Sequence, residues 1–156
     1  MSRVSPEAAF DQWIEDVQAS AQLLPGVEHL ESTLEHVRRS AVTEYVDREF
    51  AVARLGDLTQ DWPPGAVEIL EYVLRDARWP ELETLLQEVR NGAEDFRHRD
   101  LARQVLEVYD EDWPGGEIYR RYREASRRAS SIVVSSSDGG SPERRRNSSG
   151  SRPDAD

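Results

Sequence analysis

The chain has no cysteine and no lysine among its 156 residues, and it has only three histidines and one methionine. Without cysteine it forms no disulfide, no thiolate nucleophile and no cysteine zinc site, and it needs no oxidising compartment. No segment has the uncharged apolar length of a membrane span, and the N-terminal residues lack the apolar run of a signal peptide. We therefore expect a cytoplasmic protein without membrane association. The use of arginine for all 20 basic residues indicates GC-rich coding and a bacterial source.

Motifs of the common catalytic sites are also absent from the sequence. There is no HExxH helix, no phosphate-binding loop, no GxGxxG after a strand and no GxSxG turn. His29 and His36 lie seven residues apart, which separates them by about 10 Å on a helix, so one metal ion cannot bind both directly. A solvated helix face explains them better than a metal site in a helix dimer. We expect no enzymatic activity, no cofactor and no bound metal.

Negative charge is the strongest feature that the sequence does have, with a formal net charge of −11. Residues 125–156 hold six arginines and four acidic residues, a balance of +2, so residues 1–124 carry −13. A surface of this sign repels nucleic acid backbones and anionic membranes and attracts basic proteins. Solubility alone is the competing explanation for the charge.

Apolar residues recur at helical spacing and predict an all-α fold, a compact bundle of about six antiparallel helices. Proline begins several of these segments, because its fixed φ suits the first turn of a helix. The second segment also carries a short heptad seam, which offers a dimerisation surface over residues 27–55. The predicted helices are residues 6–24, 27–55, 66–77, 80–91, 95–109 and 116–125.

Composition divides the chain into an acidic helical domain, residues 1–124, and a tail rich in serine, arginine and glycine, residues 125–156. The tail contains too little apolar surface to offset the entropy of ordering, so we expect it to be disordered. Its arginines 144–146 either contact an acidic surface or phosphate, or are simply solvated, and we favour solvation.

Three of the four tryptophans, Trp62, Trp79 and Trp113, precede a proline. An indole at this position packs over the first turn of the following helix as a hydrophobic staple. Trp79 lies between two strongly apolar helices, which predicts a buried ring and an antiparallel helical hairpin. Trp62 and Trp113 lie beside acidic residues, so they are either staples, the interpretation we favour, or interface hot spots.

Tyrosines 119 and 122 alternate with arginines, which is typical either of a docking edge or of buried tyrosines beside solvated arginines. Together with the two tryptophan loops they form the predicted partner-binding set. Its members are Asp61, Trp62, Asp110, Glu111, Asp112, Trp113, Tyr119 and Tyr122.

The run AVEILEYVLRDARWPELETLL, together with the Asp-Trp-Pro sequence that recurs at residues 61–63 and 112–114, suggests a helical repeat. Residues 66–123 resemble the antiparallel helix pairs of HEAT-type and armadillo-like repeats. That resemblance implies a scaffold for protein binding and transfers no catalytic residue.

These observations favour a non-catalytic protein that binds a basic surface of a partner, as immunity and accessory proteins do. One alternative is a regulator that acts at nucleic acid, by charge mimicry or through its arginine-containing tail; the folded domain itself is not expected to bind nucleic acid. A second alternative is a metal-dependent enzyme that uses surface carboxylates.

Overall fold

The computed structural model describes residues 3–136, and their side chains as far as Ser130. All the regular secondary structure of this part of the chain is helical and it contains no strand, which confirms the predicted all-α class for these residues. The α-helices are α1 (Pro6–Leu23), α2 (Glu31–Val42), α3 (Arg48–Asp61), α4 (Ala66–Ala77), α5 (Pro80–Gly92), α6 (Phe96–Leu106) and α7 (Arg120–Ser136), and two short 3-10 helices are η1 (Glu107–Tyr109) and η2 (Pro114–Ile118).

Local sequence explains where most of these helices begin. The Ser5 side chain caps α1 and Pro6 fills its first position, while Asp47 and Asp95 cap α3 and α6 in the same way. Each capping oxygen accepts a backbone N–H that has no partner within the helix. Before α4, Gly65 adopts φ +85°, and a Cβ there would lie 3.1 Å from Val17 of α1. Glycine therefore lets α4 pack closely on α1.

The single long helix predicted over residues 27–55 is wrong, because α2 ends at Val42 and α3 begins at Arg48. Glu44 has φ +57°, a left-handed conformation that breaks the helix. Most of the predicted heptad seam is buried in the core of the same chain, which leaves these residues no surface for a second chain: Leu30, Leu34, Val37 and Ala41. Dimerisation through other residues of 27–55 stays a prediction.

Helix α4 lies at the centre of the fold and packs against α1, α2, α3, α6 and η1. Its main neighbour is α2, whereas α5 packs mainly on α6, so the antiparallel hairpin predicted for α4 and α5 is not formed. Arg78 between them has φ +47°, which turns the chain away from the α4 axis. Trp79 is nevertheless buried, as predicted. Its carbonyl oxygen accepts a hydrogen bond from the Tyr109 hydroxyl at 2.9 Å.

The C-terminal part differs from the prediction at two places. Residues 116–125 are not one helix, since η2 ends at Ile118 and α7 begins at Arg120. Helix α7 then runs through the domain boundary predicted at residue 124, and its side chains are exposed from Arg123 to Ser130. The rest of the predicted disordered tail, residues 137–156, lies outside the described residues. Among the helices described, none combines the length and the apolar character needed to cross a bilayer.

Candidate functional site

Four aromatic side chains pack together where the C-terminal segment meets α4. They are Tyr72 of α4, Trp113 before η2, Tyr119 between η2 and α7, and Tyr122 of α7, and we call them the aromatic cluster. Their neighbouring ring centroids lie 5.3 to 6.0 Å apart, mostly edge to face. None of the four residues is more than 9% exposed. Pairs in this geometry add to the stability that burial alone provides, so the cluster fixes η2 and the start of α7 to α4.

Each tyrosine of the cluster donates its hydroxyl proton to an acceptor. Tyr119 donates to Glu71 Oε2 at 2.8 Å and Tyr72 donates to Glu35 Oε2 at 3.2 Å. Tyr122 donates to the backbone carbonyl oxygen of Tyr72. Burial raises the pKa of all three phenols above its ordinary value. They therefore stay neutral donors at physiological pH.

Three consecutive exposed carboxylates precede the cluster, those of Asp110, Glu111 and Asp112, which we call the acidic loop. Arg75 of α4 fixes this loop through its backbone. The guanidinium donates to the carbonyl oxygens of Val108 at 2.8 Å, Asp110 at 2.6 Å and Glu111 at 3.2 Å. Because Arg75 binds backbone carbonyls, the three carboxylates remain at the surface.

Arg75 also links the acidic loop to the aromatic cluster. Its guanidinium carbon lies 5.6 Å from the centre of the Trp113 ring, within the range of a cation–π interaction. Trp113 itself contacts Tyr119 and Tyr122. Arg75 thus holds the acidic loop, and its guanidinium packs on the buried Trp113 ring.

A cleft of about 880 Å³ opens between α2, α4 and α7. Tyr72 and Tyr122 of the aromatic cluster contribute to its lining. Carboxylates from α2 and α4 line it together with arginines of α7, including Arg120, Arg121 and Arg128. The cleft is therefore polar and mixed in charge.

A network of ion pairs links three residues of the cleft lining, Glu35, Asp76 and Arg121, through Arg38. Arg38 donates to Glu35 Oε1 at 2.5 Å and to Asp76 Oδ2 at 3.3 Å, and Arg121 reaches the same Asp76 oxygen at 3.3 Å. The hydrogen bond from Arg38 holds the pKa of Glu35 below its usual value. This network joins α2, α4 and α7 through one buried guanidinium, that of Arg38, and three partly exposed side chains.

Glu31 of α2 caps the N-terminus of α7. Its two carboxylate oxygens accept the backbone N–H groups of Arg120 at 2.5 Å and Arg121 at 3.4 Å. A carboxylate at this position satisfies unpaired donors and interacts favourably with the helix dipole. The first turn of α7 is therefore fixed to α2.

The structure brings six of the eight predicted site residues together, in the acidic loop and in the aromatic cluster. Asp61 is exposed at the end of α3, and Trp62 is buried outside the cluster. Its indole Nε1 has no hydrogen-bond partner within the described residues. Trp62, Trp113, Tyr119 and Tyr122 are buried, as expected of staples and packed tyrosines. The exposed members of the predicted set are its four acidic residues, and contact of any member with a partner stays a prediction.

Sequence reasoning missed Arg75 and Glu71. Nothing in the sequence around Arg75 indicates that it binds a loop more than 30 residues away. Glu71 did carry a signal, because it interrupts the apolar run from Ile69 to Leu74. Within residues 3–136, no group of three or more histidine, aspartate or glutamate side chains is placed to hold a metal ion.

Comparison of the chain with protein-family models, with curated proteins and with solved structures found no match. The resemblance of residues 66–123 to helix-pair repeats stays a prediction. Function is argued here from the chemistry of the site, since a fold alone does not imply a function.

Proposed function

We propose that this protein is a non-catalytic binding module that recognises a basic surface of a protein partner. The observation that carries the proposal is the acidic loop, in which three neighbouring carboxylates face solvent while Arg75 fixes their backbone. A loop that is ordered before binding loses little conformational entropy when a partner arrives. Its carboxylates can therefore pair with arginine or lysine side chains at a small entropic cost.

The rest of the domain supports the same kind of partner. Residues 1–124 carry a formal charge of −13, and a field of that sign accelerates association with a cationic surface and disfavours anionic ones. The absence of cysteine from the chain suits a reducing bacterial cytoplasm, which is the setting we propose.

Neutralising the acidic loop is expected to weaken binding by about tenfold. The variant Asp110→Asn/Glu111→Gln/Asp112→Asn removes three exposed charges, each of which contributes up to about 1 kcal/mol in an exposed ion pair. Proteins captured from the organism's own cytosol by the wild type identify the partner, and titration with that purified partner at low salt gives the two dissociation constants.

The matched control is Glu15→Gln/Asp16→Asn/Glu88→Gln, which removes the same charge from exposed positions on α1 and α5. Binding of this control is expected to stay within about twofold of the wild type at equal ionic strength, because screening limits the reach of distant charges. Equal losses in both variants would show that only net charge matters. A partner bound with no dependence on salt would contradict the proposal.

Contact with nucleic acid through α7 is the second candidate, and one observation favours it. Arg127 and Arg128 are exposed on the part of α7 whose side chains contact little of the helical body. Direct binding predicts that a mobility shift of duplex DNA is lost in Arg127→Gln/Arg128→Gln, since phosphate contacts supply nonspecific affinity. Competition with DNA for a DNA-binding protein, without a shift, would instead indicate charge mimicry. A shift that survives in the double variant excludes contact through these two arginines.

A further inference from the structure

Glu71 is a carboxylic acid in the interior of the domain, only 3% exposed. Its Oε2 accepts the hydroxyl proton of Tyr119 at 2.8 Å, and its Oε1 accepts an N–H of the Gln104 side chain at 3.2 Å. The carboxyl group therefore connects α4 with α6 and with the segment between η2 and α7. Neither the acidic loop nor the cleft uses it directly.

The charges nearest to this group oppose its ionisation. Glu68 lies one turn earlier on α4 and Glu107 lies in η1, and both carboxylates act on Glu71. Arg75, one turn later, is bound to backbone carbonyls of the acidic loop. From α6, Arg103 pairs with Glu107 and with Asp100.

The charged groups of the other neighbouring helices pair elsewhere. In α2, Arg38 pairs with Asp76 and Glu35 accepts the hydroxyl proton of Tyr72. From α7, the Arg121 side chain also reaches Asp76. Asp11 of α1 and Arg54 of α3 pair with each other. Two neutral donors, the Tyr119 hydroxyl and the Gln104 amide, are thus the groups that hydrogen-bond the Glu71 carboxyl. Burial first, and the two nearby carboxylates next, raise its pKa to about 7.

We propose that Glu71 is a pH-sensitive latch, which holds η2 and the start of α7 against α4 in acid and loosens them when its proton is lost. A buried neutral carboxyl costs little, whereas a buried carboxylate with two neutral donors gains free energy by reaching water. The Tyr119 side is the one that yields, because α6 packs extensively on α5, whereas α7 packs mainly on the short η2. Besides the aromatic cluster, only polar contacts, such as the Glu31 cap and the Arg121–Asp76 pair, hold the start of α7 among the described residues. Neither proposed function is needed for this latch to operate.

Hydrogen exchange measures the latch directly. The amide of Arg123 donates to the carbonyl oxygen of Tyr119 at 3.0 Å and reports on the start of α7. In the closed state, with Glu71 buried, its pKa is about 7; in the open state, with Glu71 in water, its pKa is that of an ordinary glutamate. The equilibrium constant for opening should therefore be roughly 30-fold larger at pH 8.5 than at pH 5.5. This change should appear in the protection factor of Arg123 after division by the intrinsic exchange rate. Amides of α1, such as that of Ile14, serve as the internal reference.

Three substitutions distinguish titration of Glu71 from other effects of pH on α7. Glu71→Gln keeps the shape and removes the titration, so the protection of Arg123 should lose its pH dependence. Glu68→Gln removes a like charge and should lower the midpoint of the transition. Tyr119→Phe removes a donor to the ionised carboxyl and should raise that midpoint.

A second measurement does not depend on how the variants fold. The carboxyl carbon of Glu71 in the wild type, followed by nuclear magnetic resonance, should titrate near neutral pH. Titration at the usual glutamate value would overturn the proposal. The proposal would also be overturned if the protection of Arg123 still depended on pH in a folded Glu71→Gln protein. Loss of protection at high pH in the amides of α6, and not in those of α7, would overturn it as well.

Discussion

Replacement of Trp113 by alanine should lower the free energy of unfolding by about 3–5 kcal/mol, the range for loss of a large buried aromatic side chain. The ring contacts Tyr119 and Tyr122 and lies beneath the guanidinium of Arg75. Its removal opens a cavity at the centre of the aromatic cluster and takes away the surface on which Arg75 rests. Both η2 and the acidic loop should therefore lose order.

The backbone on the other side of the ring leaves little room for relaxation. A Cβ added to Gly116 would lie 2.6 Å from Cε3 of Trp113, so this glycine packs directly on the indole. Collapse of neighbouring side chains into the cavity is limited where a backbone forms its wall. This contact is why we expect the full cost of a large-to-small substitution.

Urea unfolding of Trp113→Ala, with Trp62→Ala and Trp79→Ala in parallel, checks the prediction. The three tryptophans are 9%, 3% and 7% exposed, so their losses should be similar. Trp13→Ala is the control, because this partly exposed ring stacks on the exposed His36 and should cost less. A Trp113→Ala protein within about 1 kcal/mol of the wild type would show that the cluster does not hold the C-terminal segment.

Local signals predicted the starts of several helices well. Ser5 with Pro6, and Pro80 after Trp79, place α1 and α5 within a residue or two, because capping and proline geometry act over one turn. The break between α2 and α3 was missed, since residues 43–47 contain neither glycine nor proline and the apolar spacing continues across them. The capping aspartate at 47 was the available signal.

Tertiary partners could not be predicted in the same way. Glu71 meets Tyr119 across 48 residues of chain, and Arg75 meets Asp110 across 35. No spacing rule specifies which of many helices a face will meet, and so α4 and α5 were wrongly paired with each other. The acidic loop was predicted from composition because exposure of consecutive carboxylates is the rule. Burial of Tyr119 and Tyr122 was one of two interpretations of their segment, and the segment alone could not decide between them because the burial depends on Tyr72 of α4.

Replacement of Arg38 by alanine is the second substitution expected to have a large effect, about 2 kcal/mol, because the buried guanidinium makes hydrogen bonds to charged groups, which contribute roughly 1.5–3 kcal/mol. Arg38 is 9% exposed and joins Glu35 of α2 to Asp76 of α4. Without it, the carboxylates of Glu35 and Asp76, whose side chains are 26% and 30% exposed, lose their shared guanidinium. Among the described residues, only Arg121 then remains close to Asp76. The packing of α2 on α4 should weaken as a result.

The free energy of unfolding lost in Arg38→Ala should depend on pH and should be larger at neutral pH than in acid. Arg38 holds the pKa of Glu35 below its usual value of 4.5, so the stabilisation is present above that pH and disappears as pH falls through the lowered folded-state value. Wild type and Arg38→Ala should therefore differ most at neutral pH and converge in acid. Arg39→Ala is the matched control, since this neighbouring arginine is 68% exposed and lies 3.6 Å from Glu35. It should cost less than about 1 kcal/mol. Urea unfolding of the wild type and both variants at pH 7 and at about pH 3, well below the usual glutamate value, measures these differences. Equal losses in the two variants, or a loss in Arg38→Ala that grows in acid, would contradict the role assigned to Arg38.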